Sequence, residues 1–196
     1  MRWRTGERAD SLSFVTTFGL VHGAWHGAWC WERLTPELRD RGHDVVTLDL
    51  PSDDAVATFS MYADVVVEAM EAQPAGAVLV AHSMAGLSVP IAASRLPVRA
   101  VVFVCGLLPV PGRSLIDQFI EEPHMLVPGY DGGLGEPDDQ GRSRWMDLKS
   151  AEATLYGDCD ETTAAKAFDR LRPQGQATFA EPCPLRSAGI FKDLIA

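Results

Sequence analysis

The chain has 196 residues, 46% hydrophobic and 22% charged, with a formal net charge of −10. That length suits one domain with a real core and room for a small lid. The acidic balance and the absence of a basic block exclude nucleic acid and anionic membrane as expected partners, and no apolar run reaches the ~18 residues of a membrane span. Behind the basic start Met1-Arg2-Trp3-Arg4 there is no apolar segment of the kind a signal peptide needs. Cys30, Cys105, Cys159 and Cys183 lie far apart and form no Cys-x-x-Cys pair. No metal and no other cofactor is therefore expected, and the cysteines read as reduced thiols of a cytoplasmic protein.

Residues 1–14 are polar and without periodicity, and read as a disordered N-terminal extension. A core is expected from residue 15. Residues 14–21 read as its first strand, followed by His22-Gly23-Ala24-Trp25-His26-Gly27-Ala28-Trp29. A helical stretch is expected over 28–41, bent near Pro36 and ended by Gly42. Residues 44–50 read as a second strand, apolar enough to be buried on both faces. Ser60 suits the N-cap of a helix running to residue 73. Residues 77–81 form the third strand, residues 87–96 a helix, and residues 99–107 a fourth strand that is again a continuous apolar run. Strands alternating with helices at this spacing predict an α/β fold with a parallel sheet of about four strands. The core is expected to span 15–108. Pro109, Pro111 and Gly112 mark its end, residues 121–141 read as loop, and helices are expected over 142–156 and 161–171. With no strand there, 109–175 reads as a helical lid and 176–196 as an incomplete return to the core.

Ala81-His82-Ser83-Met84-Ala85-Gly86 joins the third strand to the helix after it. A serine at the tip of a sharp strand-to-helix turn is the context of a nucleophile elbow, although Ala81 and Ala85 replace the two usual glycines. The competing reading is a helix-capping serine. Position favours chemistry, because ligands bind outside the carboxyl ends of such strands. The Met84 N–H then points to where an acyl oxyanion forms, and the loop after the first strand can supply a second donor, the Ala24 N–H.

The stretch from Val21 to Trp31, with Leu48-Asp49-Leu50-Pro51, the elbow and Leu155-Tyr156, resembles the α/β-hydrolase superfamily. It is most similar to the branch of plant methylesterases, hydroxynitrile lyases and bacterial esterases. The resemblance covers residues 15 to 185. It implies Ser83 as nucleophile, Ala24 and Met84 as oxyanion donors, and a lid-covered apolar pocket for a small ester beside Gly23, Trp25 and His26. Lyase members carry a threonine after the strand-end histidine. Gly23 stands there, as in the esterases, so ester hydrolysis is favoured over cyanohydrin cleavage.

Such hydrolases complete the triad with an acid and then a histidine, each after a later strand. Residues 185–196 leave no room for two more strands, and no histidine follows His124. The fold is therefore expected to be an incomplete, C-terminally truncated α/β-hydrolase fold, and activity to be weak or absent, since a serine without a base is a poor nucleophile. Asp117 and His124 have the right order, but nothing in the pattern brings them to Ser83. His82 reads as a packed histidine, and Asp49 as a capping or loop-stabilising residue. His22 and His26 lack a third ligand for a metal. Two other readings remain: a non-catalytic module that binds a small apolar ligand or a protein, and a hydroxynitrile lyase-like protein. The fourth strand is expected to be an exposed apolar edge, open to pairing in a homo-oligomer.

Overall fold

The computed structural model describes residues 15–186. Four parallel strands form one sheet in the order β2-β1-β3-β4, where β1 is Thr17–Val21, β2 Asp44–Thr47, β3 Val78–His82 and β4 Ala100–Val104. β1 and β3 pair from Phe18 with Val78 to Val21 with Ala81, so both strands end at the same level. That register brings the loop after β1 beside the turn after β3.

Successive side chains of a strand point to opposite faces. Leu20 and Val80 pack with Trp31 on one face, under a 3₁₀ turn, Ala28–Trp31, and α1, Leu34–Asp40. Val21, Leu79 and Ala81 belong to the larger core, with Tyr62 and Val66 of α2, Phe59–Met70, and Leu87 and Val89 of α3, Ala85–Ala93. α3 is buried along its whole length, which suits its small and apolar residues. The central strands carry the deepest burial. β2 departs from the expected strand buried on both faces: it is short and half-exposed, because it has a neighbour on one side only. β4 is the other edge, and Val102 and Val104 are 42% and 40% exposed.

After β4 come α4, Leu115–Glu121, β5, Arg142–Ser143, α5, Leu148–Leu155, α6, Glu161–Phe168, β6, Gln174–Gly175, and α7, Ala177–Ala180. β5 and β6 pair antiparallel, so the strandless reading of this segment is corrected. α4 and α7 fall where no helix was expected. The helix expected from residue 142 begins at Leu148 instead, where the Asp147 carboxylate accepts from the Ser150 N–H at 2.9 Å. The expected cap at Ser60 is also displaced. Thr58 caps α2, its hydroxyl accepting from the Met61 N–H at 3.3 Å, while the Ser60 N–H donates to the Glu181 carboxylate at 2.9 Å. The long-range partner was invisible in the local pattern. Backbone hydrogen bonds tie the segment to the sheet: the Arg172 N–H donates to Trp25 O and the Gly175 N–H to Ser52 O, both at 2.7 Å. The predicted extension over 1–14 and the part of the expected return over 176–196 that follows Arg186 lie outside the described residues.

Candidate active site

Ser83 stands between β3 and α3 with φ at +53°, in the left-handed region that a residue with a Cβ rarely enters. Its backbone is held on both sides. The Ser83 N–H donates to Val104 O at 3.1 Å, and its carbonyl accepts from Gly86 and Leu107 N–H groups, each at 3.0 Å. The serine hydroxyl does not cap α3; the cap position is Met84, with no side-chain hydrogen bond. Gly86 is needed because the Leu107 backbone crosses so closely that a Cβ would collide with its carbonyl oxygen. Thus the one glycine retained near the elbow answers a packing demand from the loop that follows β4.

Gly23 meets the same constraint from the other side: a Cβ there would stand 2.8 Å from the Ser83 Cβ. The loop therefore lies directly on the serine. Within it, Trp25 has φ at +60°, an outlier for so bulky a residue. Its ring nitrogen donates to Ser143 Oγ at 3.2 Å and its carbonyl accepts the Arg172 N–H, so tertiary contacts hold the strain. The Ala24 and Met84 N–H groups donate to no described residue. Both residues border a cavity of about 540 Å³ that Ser83 also lines. Phe119, Leu126, Tyr130 and Leu134 supply apolar walls from the segment after β4. The volume falls in the ordinary range for small-molecule sites.

Of the residues expected around the pocket, Trp25 lines this cavity, whereas Gly23 and His26 are not among its lining residues. Gly23 lies against Ser83, and His26 faces a second cavity. The reason is local. The His26 ring turns back so that Nδ1 lies 2.8 Å from Ala24 O, and Nε2 lies 3.0 Å from the Tyr156 hydroxyl. A carbonyl can only accept, so Nδ1 carries the proton and Nε2 accepts from Tyr156. His22 is fixed the same way. Its Nδ1–H donates to Gly23 O at 2.8 Å and its Nε2 accepts from the Leu50 N–H at 2.9 Å. Burial pushes the His22 pKa down to about 4 and lowers that of His26, so both rings are neutral. Two buried neutral histidines thus brace the carbonyls of Gly23 and Ala24.

Asp49 accepts from the Ala28 N–H at 2.8 Å and so closes the same loop at its far end. His82 packs edge-on against His26 and Trp31, and burial lowers its pKa to about 4. His43 lies against Phe18. Asp117 is spent in a capping box: its carboxylate accepts from the Ser114 N–H and hydroxyl at 2.9 and 2.7 Å, and these bonds hold its pKa low. His124 does line the Ser83 cavity, but it is exposed and Asp117 does not reach it. None of the chain's five histidines hydrogen-bonds the Ser83 hydroxyl. Among the described residues no group of three or more His, Cys, Asp or Glu is placed to hold a metal. Sequence reasoning missed Arg172 and assigned no role to Tyr156. Arg172 donates to Leu50 O at 3.1 Å and to Asp53 at 2.5 Å, beside the His22 bond. Nothing in its local sequence announces those distant partners.

A parallel sheet with a strained serine at a strand-to-helix turn, and two free backbone N–H groups on the cavity it lines, defines the α/β-hydrolase class. Residues 20–195 match the Alpha/beta hydrolase family, and the chain belongs to it. It is 40% identical to methyl jasmonate esterase 1 of Vitis vinifera, over 50% of this chain and 42% of that protein. It is 31% identical to an alpha-hydroxynitrile lyase of Arabidopsis thaliana, over 72% of this chain and 60% of that protein. The chain thus spans less than two thirds of the length of both relatives. The solved structure of polyneuridine aldehyde esterase shares the fold, with a TM-score of 0.75 at 24% identity, over 92% of this chain and 77% of that one.

Proposed function

We propose that the 196-residue chain is a small-carboxylester hydrolase in lineage and binding mode, with weak or no turnover. Ser83 is the nucleophile, the Ala24 and Met84 N–H groups receive the acyl oxyanion, and the apolar cavity takes the body of the ester. The observation that carries this reading is the pair of unused N–H groups beside a strained serine. Weak turnover follows from the histidines: four are packed elsewhere, and His124, which lines the same cavity, makes no hydrogen bond to the Ser83 hydroxyl that would take its proton. The relatives named as esterases support the substrate class. Free cysteines support the reading of cytoplasmic thiols, and no helix among the described residues is long and apolar enough to cross a membrane.

The test is hydrolysis of p-nitrophenyl acetate by the chain and by Ser83→Ala. Residual turnover near the uncatalysed rate, abolished by Ser83→Ala, is expected. Vigorous turnover that Ser83→Ala abolishes overturns the weak-turnover part, and turnover indifferent to Ser83 overturns the site. A non-catalytic ligand-binding role is the second reading, favoured by a well-formed cavity whose serine has no histidine hydrogen-bonded to it. The lyase-like reading is weakened by Gly23, since the lyases' threonine would press a Cβ onto Ser83. We also propose that the half-exposed valines of β4 favour pairing with a second copy of this chain, which light scattering on the eluted protein tests.

A further inference from the structure

A second cavity, of about 390 Å³, shares no lining residue with the first. It opens on the other side of the Ala24 loop, between the 3₁₀ turn and α5–α6. Its inner wall is aromatic and apolar, formed by His26, Trp29, Tyr156 and Ala167. Its charged lining is mainly cationic: Arg33, Lys166 and Arg170 against Glu32 alone. Glu32 is spent on Arg170 in a two-pronged pair at 2.7 and 2.8 Å, and the Arg170 guanidinium lies 4.9 Å from the Trp29 ring centre. Arg33 and Lys166 enter no ion pair among the described residues. Two further acids stand beside Cys159 at the rim, outside the lining. Asp160 caps α6 and accepts the Thr163 hydroxyl, and Asp158 lies beside Cys159.

We propose that this cavity is a binding site for an anionic aromatic small molecule, a flat apolar body bearing one carboxylate. In a chain of net charge −10, an Arg and a Lys without ion pairs among the described residues, on the rim of an aromatic cavity, are complementary to that chemistry. The body fills the space against Trp29 and Tyr156, and the carboxylate meets Arg33 and Lys166 at the mouth. The site does not depend on Ser83 or on ester turnover.

The experiment is calorimetric titration of the full chain with 2-naphthoate and, in parallel, with the uncharged 2-naphthamide. The acid should bind, and the amide should bind about tenfold more weakly or not at all. Raising the ionic strength should weaken the acid only. The double variant Arg33→Gln/Lys166→Gln, both exposed positions, should lose about tenfold in affinity for the acid while melting as the parent does. Leu126→Trp, which fills the Ser83 cavity, should leave acid binding unchanged. No binding of the acid, equal affinity for acid and amide, indifference to the double variant, or loss of binding in Leu126→Trp would each overturn the proposal. Should the double variant fail to fold, the single Lys166→Gln and the acid–amide ratio decide alone.

Discussion

The floor and the roof of the Ser83 cavity are built from different materials. On the floor, Ala24, Ser83 and Met84 sit at strand ends where the chain is packed against itself: the Leu107 backbone against Gly86, Gly23 against the Ser83 Cβ, two neutral imidazoles against the Gly23 and Ala24 carbonyls. The roof is made of side chains from α4, which Ser114 caps, from the loop after it, and from β5 and α7, and the segment is joined to the floor through Trp25, Arg172 and Gly175. Such close contacts tolerate no added atom, whereas Phe119 on α4 and Leu126 in the loop after it can each be traded for another apolar group at small cost. The floor of the cavity is therefore rigid, and its roof is free to vary.

The sharpest way to break this contrast is to place one methyl group on the floor. Gly86→Ala drives a Cβ into Leu107 O and should destabilise the fold by about 3 kcal/mol, against less than about 1.5 kcal/mol for Leu126→Met in the roof. Urea denaturation of the two variants measures the difference. Equal losses would dissolve the distinction.

Acid should also act on the floor. The folded pKa of His22 lies at about 4, below the ordinary histidine value of 6.5, and burial lowers that of His82 to about 4 as well. The unfolded chain takes up these protons first as pH falls. Their contribution is thus fully present above about pH 6.5 and is lost as pH falls through about pH 4, at about 1.4 kcal/mol per unit per group, or about 3 kcal/mol for each ring in total. Unfolding curves collected from neutral pH downward should show stability falling across that window. A flat profile would mean that the rings are not held neutral.

A smaller effect sharpens the joint between floor and roof. Tyr156→Phe removes the proton donated to His26 Nε2 and leaves a buried acceptor unmatched, which should cost about 1–2 kcal/mol. The variant should melt lower, and the His26 ring proton signals should broaden as the ring loses its anchor. The least effect belongs to the surface. Arg41→Ala breaks an exposed pair with Glu37 and should change the melting temperature by no more than a loss of about 0.5 kcal/mol would, and less still in high salt.

Much of the floor was legible in the chain. Apolar runs of strand length set between helical stretches announce a parallel sheet, and a serine flanked by small residues at a strand's end announces the turn. The second loop, with its paired His-Gly-Ala-Trp units, marks the partner strand. The roof was less legible because its order rests on caps and short ribbons. β5 and β6 hold only two residues each, too few for any periodicity to register. The α2 cap was misplaced because a carboxylate 121 residues away supplies the partner of the Ser60 N–H.

By itself the sequence determined the α/β alternation, the position of Ser83 at the end of a central strand, and the acidic character that disfavours polyanionic partners. Those are properties of local pattern and of summed charge. Only the tertiary structure decided the work of the histidines. His22 and His26, four residues apart, looked alike as candidates, yet both are buried neutral braces whose partners, Leu50 and Tyr156, come from elsewhere in the chain. It also decided that two separate cavities flank one loop, and that the strain at Trp25 is held by Ser143 and Arg172. The physical reason is common to all three. A hydrogen bond or a packed contact needs its partner in place, and these partners are set by the register of strands and the return of the roof, which no window of local sequence contains.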